Sequence, residues 1–523
     1  MDYGILSLVP PVIAIILAIY TRQVFVSLLF GIWLGWLVLT GLPLEAGSGS
    51  FNPGDIGFFE GLWRVVRPSN LWKGSMNTIQ ALVDVFKDAG NTRTIMFSAL
   101  VGALILFIQR SGGVEGFILR INRFLEKYEK KQSGNSRVVV QFLAWLTGLF
   151  IFVESSISVL TVGALYRPVF DKLKISREKL AYIADSSSAP SSIILPFNGW
   201  GAFIMGLLAT DFVNPFGVMM TAMKYNFYPF LALLMVLVII FTKKDFGPMA
   251  KAEKRAREEG KLLADGAQPM ISEELTEVKT KEGVIPRSRN MVFPIALMVL
   301  MMPVMLIYTG WGATMEHMPE ASVWSKVFFA IGNGSGSTSV LTAVLVSLIS
   351  TMFFYGAQGI MKMKEMVDLT LKGIGGLIPL ALLMLFAFAI SSLCKNELGT
   401  GQYVASVAQQ WLSPALVPFL VFVVSCFIAF STGTSWGTFA IMMAIAVPMA
   451  KEMDTNVYMA IAAVMGGGVF GDHCSPISDT TILSSMASAS DHIDHVRTQL
   501  PYALVVGGVT AIFYLVIGFI AHG

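Results

Sequence analysis

Two hydrophobic stretches far apart in the chain each contain an aspartate, a run of small hydroxyl residues and a proline. The first reads Asp185-Ser-Ser-Ser-Ala-Pro-Ser-Ser192, and the second reads Asp472-His-Cys-Ser-Pro-Ile-Ser-Asp-Thr-Thr481. Polar, proline-interrupted backbone at membrane depth is tolerated only where it lines a cavity or packs against protein. A matched pair of such breaks indicates the midplane binding site of an inverted-repeat secondary transporter.

The composition is that of a membrane protein. Hydrophobic residues make up 54% of the 523 residues and charged residues 14%, whereas a soluble domain carries about a quarter charged residues. The formal net charge of +3 predicts no nucleic-acid partner. Cys394, Cys426 and Cys474 form no spaced pair, so we expect neither disulfides nor a zinc site, and no cofactor. The N-terminus lacks a basic region and a cleavage site, and is interpreted as the start of the first membrane helix.

Crossing the hydrocarbon core of a bilayer requires about 20 apolar residues per helix. The predicted spans are 5–20, 24–42, 94–110, 181–206, 227–242, 291–309, 337–357, 373–392, 456–488 and 500–521. Two further apolar stretches, 139–170 and 413–450, are too long for one crossing and carry polar residues at their centres. Each is interpreted as a re-entrant hairpin, turning near Phe152–Ser156 or near Ser431–Ser435. The alternative is two ordinary helices in each stretch.

The order of these elements is three helices, a hairpin and two helices, repeated once. Because five crossings is an odd number, the second half is inverted relative to the first. The sequence therefore predicts an all-α polytopic membrane protein with two inverted repeats. Each repeat has five transmembrane helices, a re-entrant hairpin and a broken helix. The repeats cover 1–242 and 291–523, and the basic linker 243–290 is predicted to be cytoplasmic. Both termini and the loop 43–93 are then outside.

The candidate site consists of acids and hydroxyl groups in these broken segments. Sodium prefers oxygen ligands, and an acid inside a membrane segment is by default a functional candidate. The acids are Glu154, Asp185, Asp472 and Asp479, of which the three aspartates are the predicted Na+ ligands. The alternative is that Asp185 and Asp472 cap broken helices, and that Glu154 holds its turn. The other predicted binding residues are Ser155, Ser156, Ser186, Ser187, Ser188, Ser191, Asn198, Thr432, Thr434, Ser435, Ser475, Ser478, Thr480 and Thr481.

Three histidines lie near these motifs. His473 could titrate near neutral pH, but we interpret it as a packing residue. His492 and His495 are interpreted as part of a solvated loop beside a cytoplasmic end. No histidine is therefore included in the predicted site.

The motif Gly471-Asp-His-Cys-Ser-Pro-Ile-Ser-Asp-Thr-Thr481, with Leu398-Gly-Thr-Gly401 and Phe430-Ser-Thr-Gly-Thr-Ser-Trp-Gly437, resembles the NhaC-type Na+/H+ antiporter family. The likeness covers most of residues 94–521. It implies a place in the wider ion-transporter superfamily, with a fixed scaffold domain and a moving transport domain. Members of the family exchange Na+ for H+, or couple Na+ or H+ to organic acids or amino acids.

The sequence therefore predicts a sodium-coupled secondary active transporter rather than an enzyme. The favoured function is Na+/H+ antiport by alternating access in the inner membrane of a bacterium, with a homodimer expected. The alternative is a Na+-coupled carrier or exchanger of a small organic solute, because hydroxyl groups and helix N-termini suit a carboxylate. An enzyme is disfavoured, because no nucleophile–base constellation or metal-ligand cluster is evident. A channel is disfavoured, because it would not require matched broken helices in inverted halves.

Overall fold

The computed structural model describes residues 3–21, 23–42, 63–65, 67–117, 119–120, 123, 136–152, 155–196, 198–269 and 280–522. Within these ranges the regular structure is helical, apart from an isolated antiparallel β-bridge between Pro269 and Asp491. Helices satisfy their backbone hydrogen bonds internally, which the interior of a bilayer requires. The predicted all-α class is therefore confirmed for the described part of the chain.

Ten of the described helices lie before residue 243. A 3-10 turn at Gly4–Leu8 leads into the first helix. The helices are α1 (Val9–Thr21), α2 (Val24–Gly41), α3 (Pro68–Val85), α4 (Ala89–Arg110), α5 (Ser136–Phe150), α6 (Ser155–Lys172), α7 (Arg177–Ile194), α8 (Gly199–Leu208), α9 (Pro215–Met223) and α10 (Phe227–Thr242).

The remaining helices begin with one in the linker and continue to the C-terminus. They are α11 (Gly247–Glu258), α12 (Arg289–His317), α13 (Val323–Asn333), α14 (Gly336–Ala357), α15 (Met363–Ser392), α16 (Thr400–Ala408), α17 (Val417–Thr432), α18 (Ser435–Glu452), α19 (Val457–Asp472), α20 (Asp479–Ser488) and α21 (His492–His522). A π-helical turn, Leu393–Glu397, extends α15.

In the described ranges, nine helices are long and apolar enough to cross a membrane, or ten when α7 and α8 count as one bent span. Eight of the ten predicted spans coincide with helices that are long and apolar enough to cross a membrane, and the span 181–206 corresponds to the bent pair α7 and α8. The span 456–488 folds as two shorter helices, α19 and α20. The multi-pass assignment is therefore confirmed. The boundaries are less accurate. Helix α15 begins ten residues before its predicted start at 373, and α21 begins eight residues before 500. Both helices extend beyond their apolar core into polar sequence that hydropathy does not detect.

Both long apolar stretches fold as two helices whose outer ends meet. In the first, the guanidinium of Arg137 donates to the carbonyls of Leu173 (2.7 Å) and Lys174 (2.8 Å). In the second, the hydroxyl of Thr455 donates to the carbonyl of Pro414 (3.1 Å). The two ends of each stretch therefore lie side by side, as a hairpin requires. Pro414–Thr432 is by itself long and apolar enough to cross a bilayer, so re-entry of the second hairpin stays a prediction.

The turn of the second hairpin depends on one glycine. Gly433 has φ 67°, in the left-handed region, and a Cβ there would lie 2.7 Å from Ile477. Glycine adopts this conformation without strain. The predicted turn near Ser431–Ser435 is therefore confirmed, and it packs against the break between α19 and α20.

The linker is partly helical. Helix α11 is held to the first half by ion pairs: Glu253 with Arg137 and Arg255 with Glu178, each at 2.7 Å. Asp245, just before α11, pairs with Lys179 and accepts a hydrogen bond from the hydroxyl of Tyr502. These contacts fix the described part of the linker against the start of α7. Residues 270–279 lie outside the described residues.

Candidate functional site

The first helix break lies later in the chain than the sequence predicts. Helix α7 continues unbroken through Asp185–Ser192 and ends at Ile194, so the predicted break at Ser186–Ser192 is wrong. The chain bends by 41° between α7 and α8 instead. Pro190 lies inside the helix, where it removes the donor to the carbonyl of Ser186. Pro196 follows Leu195 and disfavours the helical conformation there, which places the break several residues later.

Asn198 organises this first break. Its side-chain amide donates to the carbonyls of Ser192 (2.6 Å), Leu195 (3.1 Å) and Phe152 (2.9 Å). Its side-chain oxygen caps α8 by accepting from the backbone N–H of Gly201 (3.1 Å). One buried side chain therefore satisfies the end of α7, the start of α8 and the turn of the first hairpin.

The serines of α7 are all buried, but most hydrogen-bond within the helix. Ser188 donates to the carbonyl of Ala184 (2.6 Å) and contacts the hydroxyl of Ser158 on α6 (2.7 Å). Ser191 and Ser192 both donate to the carbonyl of Ser188. Ser187 contacts Ala184 in the same way. The hydroxyl of Ser186 is buried and has no hydrogen-bond partner among the described residues. Of these predicted ligands, Ser186 alone keeps an uncommitted side-chain oxygen.

The second break lies where the sequence predicts it, between Asp472 and Asp479. Three hydroxyl side chains from the start of α20 close it. Ser478 donates to the Asp472 carboxylate (3.2 Å), and Thr480 and Thr481 donate to the Asp472 carbonyl (3.2 and 3.3 Å). The backbone N–H of Ser435, at the start of α18, also interacts with this carboxylate. The second hairpin and the second break therefore meet at Asp472.

The three described acids of the predicted site differ in exposure. Asp185 and Asp472 are buried, whereas Asp479 is exposed at the first position of α20. The carboxylates are close enough to repel one another electrostatically. In the described ranges, however, no three His, Cys, Asp or Glu side chains converge closely enough to hold a metal ion by themselves. A cation at this site would need hydroxyl or carbonyl oxygens as additional ligands.

Each hairpin turn contacts the break of its own half. Phe152 accepts from Asn198 in the first half, and the carbonyl of Phe430 accepts from Ser475 (2.7 Å) in the second. Ser155 and Ser435 are buried at the first positions of α6 and α18, and the Ser435 hydroxyl has no partner among the described residues. The hydroxyl of Thr432 is committed to Ile428, and Thr434 lines a small apolar crevice. Glu154 and the side chain of Ser156 lie outside the described residues.

Sequence reasoning missed the group that joins the two halves at Asp185. Gln499, on α21, donates to the Asp185 carboxylate (2.9 Å) and to the carbonyl of His473. Its side-chain oxygen lies 2.8 Å from a ring nitrogen of His495. The other carboxylate oxygen of Asp185 has no partner among the described residues. Gln499 was overlooked because the span was predicted to begin at residue 500.

The histidines also depart from expectation. His495 is fully buried, 4.0 Å from the Asp185 carboxylate and 2.9 Å from the hydroxyl of Ser485, so its assignment to a solvated loop is wrong. His492 is partly buried and contacts the same hydroxyl (3.0 Å). The usable signal is the four-residue spacing of His495 and Gln499, which places both side chains on one helix face. His473 is buried against Tyr228 and bonded to the carbonyl of Val469, as a packing residue would be.

A family model described as the Na+/H+ antiporter family matches residues 200–519. The chain belongs to the Na+/H+ antiporter family. The matched region contains the second hairpin, Asp472, Asp479 and Gln499, whereas Asp185 precedes it. Together with the helices long enough to span a bilayer, this membership identifies a multi-pass membrane protein and a secondary transporter.

Individual relatives extend the comparison. An uncharacterized protein of Haemophilus influenzae is 33% identical over 528 residues, which cover 99% of this chain and 91% of that protein. The malate-2H(+)/Na(+)-lactate antiporter of Bacillus subtilis is 29% identical over 114 residues, 22% of this chain and 24% of that protein. The YdaH transporter of Alcanivorax borkumensis has a TM-score of 0.59 at 14% identity, over 95% of this chain and 98% of its own. At that identity, the structural likeness shows the fold alone.

Proposed function

We propose that the protein is a sodium-coupled secondary active transporter, a Na+/H+ antiporter of the NhaC type that works by alternating access. The observation that carries the proposal is the second helix break. There the Asp472 carboxylate, the hydroxyls of Ser478, Thr480 and Thr481 and the nearby Asp479 carboxylate meet inside the region matched by the family model. The backbone N–H of Ser435 connects the second hairpin to the Asp472 carboxylate at this break. Movement of either element would therefore rearrange the oxygen cluster.

The oxygen groups of this cluster suit a sodium ion as transported substrate. Sodium favours carboxylate, hydroxyl and carbonyl oxygens, and each kind is present at Asp472, with Asp479 at the first position of α20. Asp185 supplies a third carboxylate, one oxygen of which has no partner among the described residues. These acids repel one another when all are ionised, so a bound cation or a bound proton relieves the same repulsion. Competition between Na+ and H+ for one cluster is the minimum requirement for exchange.

Matched packing supports the proposed division into inverted repeats, 1–242 and 291–523, joined by the linker 243–290. Helices α5 and α6 pack against α7 in the first half, as α17 and α18 pack against α19 in the second. Helix α1 packs on α2 as α12 packs on α14, and α4 and α15 pack on each other. The hairpins and broken helices are proposed as the moving unit, and the apolar helices near 24–42 and 291–309 as the scaffold of a homodimer in the bacterial inner membrane.

Cysteine labelling tests the inverted topology. In a background with Cys394, Cys426 and Cys474 replaced, a cysteine at Lys174 is expected to react only from the cytoplasm. A cysteine at Lys451 is expected to react only from outside. The two positions lie at the bases of the first and second hairpins. Reaction of both from the same face would rule out inversion, while leaving the oxygen cluster at Asp472 unaffected.

One observation favours a second function, the coupled transport of a small organic acid. The Bacillus subtilis relative is a malate-2H(+)/Na(+)-lactate antiporter by name. In this chain, Trp200 and Trp436 meet edge to face at 6.0 Å between the first break and the second hairpin. Such a ring pair could shape a pocket for a solute beside the unpartnered Ser435 hydroxyl. This alternative keeps the same sodium site and adds a cargo.

Transport by proteoliposomes separates the two functions. An inward Na+ gradient is imposed while internal pH and the uptake or release of labelled malate, lactate and amino acids are measured. Antiport of Na+ and H+ alkalinises the interior without any organic solute, whereas a coupled carrier requires one. A K+ gradient of equal size is the control. Equal responses to Na+ and K+, with and without the solutes, would overturn sodium coupling.

A further inference from the structure

A cavity of about 680 Å³ lies at the base of the first hairpin, away from the acid cluster. Its walls come from the start of α5, the end of α6 and the turn after it, the start of α7, the end of α10 with the residues that follow it, and the linker helix α11. This volume falls within the range of about 300–1,000 Å³ that is typical of sites for small ligands.

The cavity is strongly basic. Six cationic side chains and two acids line it, the cations being Arg137, Lys172, Lys174, Lys179, Lys243 and Arg257, and the acids Asp245 and Glu253. Both acids are already engaged, because Lys179 and Tyr502 contact Asp245, while Arg137 and Ser176 contact Glu253. Among the described residues, the lining therefore contains four more cationic side chains than acids. A preference for basic residues at one membrane face explains their abundance there, but it does not explain their convergence on one concavity.

Two of these lysines occupy an unusual backbone conformation. Lys174 and Lys243 have φ of 52° and 59°, in the left-handed region. Lys243 is the residue that ends α10, and Lys174 lies two residues after the end of α6. Glycine is the usual residue at such a helix end, since it adopts this conformation without strain. A lysine there accepts the strain and places a cation at the rim of the cavity.

The apolar lining indicates the level of the cavity in the membrane. Ile239 and Ile240 from α10 and Val138 from α5 line it together with the cations. Helix α10 is apolar up to Thr242 and is followed at once by Lys243 and Lys244. The cavity therefore spans the boundary between hydrocarbon and charged linker, which is where the phosphate of a phospholipid lies. Basic pockets between membrane helices at this level suit anionic head groups.

We propose that this cavity binds a phosphate-bearing anion, either the head group of an anionic phospholipid or a soluble phosphate. Bound there, the anion would join the base of the first hairpin to the linker helix α11, which ion pairs also connect through Glu253. The proposal concerns a second site, and it stands whether or not the acid cluster transports sodium.

The test measures thermal unfolding of the purified full-length protein in detergent. The probes are micelles containing phosphatidylglycerol, micelles containing phosphatidylcholine, and inorganic phosphate compared with chloride at equal ionic strength. The test variant is Lys174→Gln with Arg257→Gln, two exposed residues of the lining. The matched control is Lys251→Gln with Lys254→Gln, which removes two exposed charges from α11 outside this cavity. A third variant, Lys174→Arg with Arg257→Lys, keeps both charges.

Phosphatidylglycerol is expected to stabilise the wild-type protein at concentrations where phosphatidylcholine does not. The test variant should need about 30-fold more lipid for half of the effect, because each basic residue contributes ~1 kcal/mol to binding an anionic lipid. The control and the charge-keeping variant should behave like wild type. Stabilisation by inorganic phosphate that is lost in the test variant would assign the site to a soluble anion. Equal responses of the test and control variants, or no stabilisation by either probe, would overturn the proposal.

Discussion

The two helix breaks have similar sequences but are built differently. In the first, Asp185 lies in the middle of α7, and the chain bends only after Pro196, where Asn198 satisfies three carbonyls. In the second, Asp472 is the last residue of its helix, and hydroxyl groups close the gap around it. The first break is held by an amide, and the second by hydroxyl groups around a carboxylate, which are the kinds of oxygen that a sodium ion favours. The neutral amide of Asn198 holds the two helix ends of the first break in place, whereas the second break contains the charged carboxylate of Asp472.

The structure also changes which residues correspond. The sequence comparison pairs Asp185 with Asp472, but the breaks themselves pair Pro196-Phe-Asn-Gly199 with Pro476-Ile-Ser-Asp479. In each, a proline precedes an apolar residue and then a polar residue that comes directly before the next helix. Asn198 thus corresponds to Ser478, and Asp479 corresponds to a glycine. The acid of the second break has no counterpart in the first.

The largest expected effect comes from neutralising the second break. Asp472→Asn is expected to lower Na+-dependent transport about 100-fold or more, because losing a charged partner in a buried site costs ~3 kcal/mol. Asp479→Asn is expected to lower it as well, since it removes a carboxylate beside the same break. Initial rates in proteoliposomes measure this. Asp368→Asn, which removes an exposed acid from α15, serves as the control. Near-normal transport by either site variant would remove that aspartate from the site.

Substitutions at the first break should instead lower the stability of the folded protein. Asn198→Ala is expected to destabilise the protein by ~2–3 kcal/mol, since it removes a helix cap and leaves buried carbonyls without a donor. Ser478→Ala, its counterpart, should cost ~1 kcal/mol. Denaturant titration in detergent gives both values. Equal losses at the two positions would contradict the comparison.

A substitution at Gln499 tests whether Asp185 contributes to the same sodium site as the second break. Gln499→Ala should weaken the apparent affinity for Na+ about tenfold, since residues that orient a ligand typically contribute 10- to 100-fold. The half-saturating Na+ concentration for transport is the quantity to measure. Gln410→Ala is the control, because Gln410 is an exposed glutamine outside the site. An unchanged half-saturation value would assign Gln499 to packing alone.

The smallest expected effect is the stabilisation of the folded protein by bound Na+, which should depend on the second break and not on the first. At about five times its Kd, Na+ should stabilise the folded protein by ~1 kcal/mol, and K+ at equal ionic strength should not. Asp472→Asn should abolish this shift in unfolding temperature, whereas Asn198→Ala should keep it. A shift lost in the first-break variant and kept in the second would reverse the assignment of the sodium site.

Hydropathy predicted most of the fold, because the length of an apolar segment is a local property. The spans, both two-helix stretches and the turn at Gly433 follow from such local signals. Helix ends were less predictable, as α15 and α21 show, since a helix can continue through polar residues once protein packs around them. His495 and Gln499 were missed for that reason: the segment Asp491–Gln499 is polar, yet the structure buries several of its side chains.

The sequence by itself determined that this chain crosses a membrane repeatedly, that it belongs with ion-coupled transporters, and that its oxygen-rich segments are the candidate site. Each follows from composition and from motifs, and motifs are formed by residues that are adjacent in the sequence. Only the tertiary structure decided that Asn198 rather than a serine closes the first break, and that Gln499 reaches Asp185 across more than 300 residues. These depend on which buried groups find partners, and partners distant in sequence are set by packing alone.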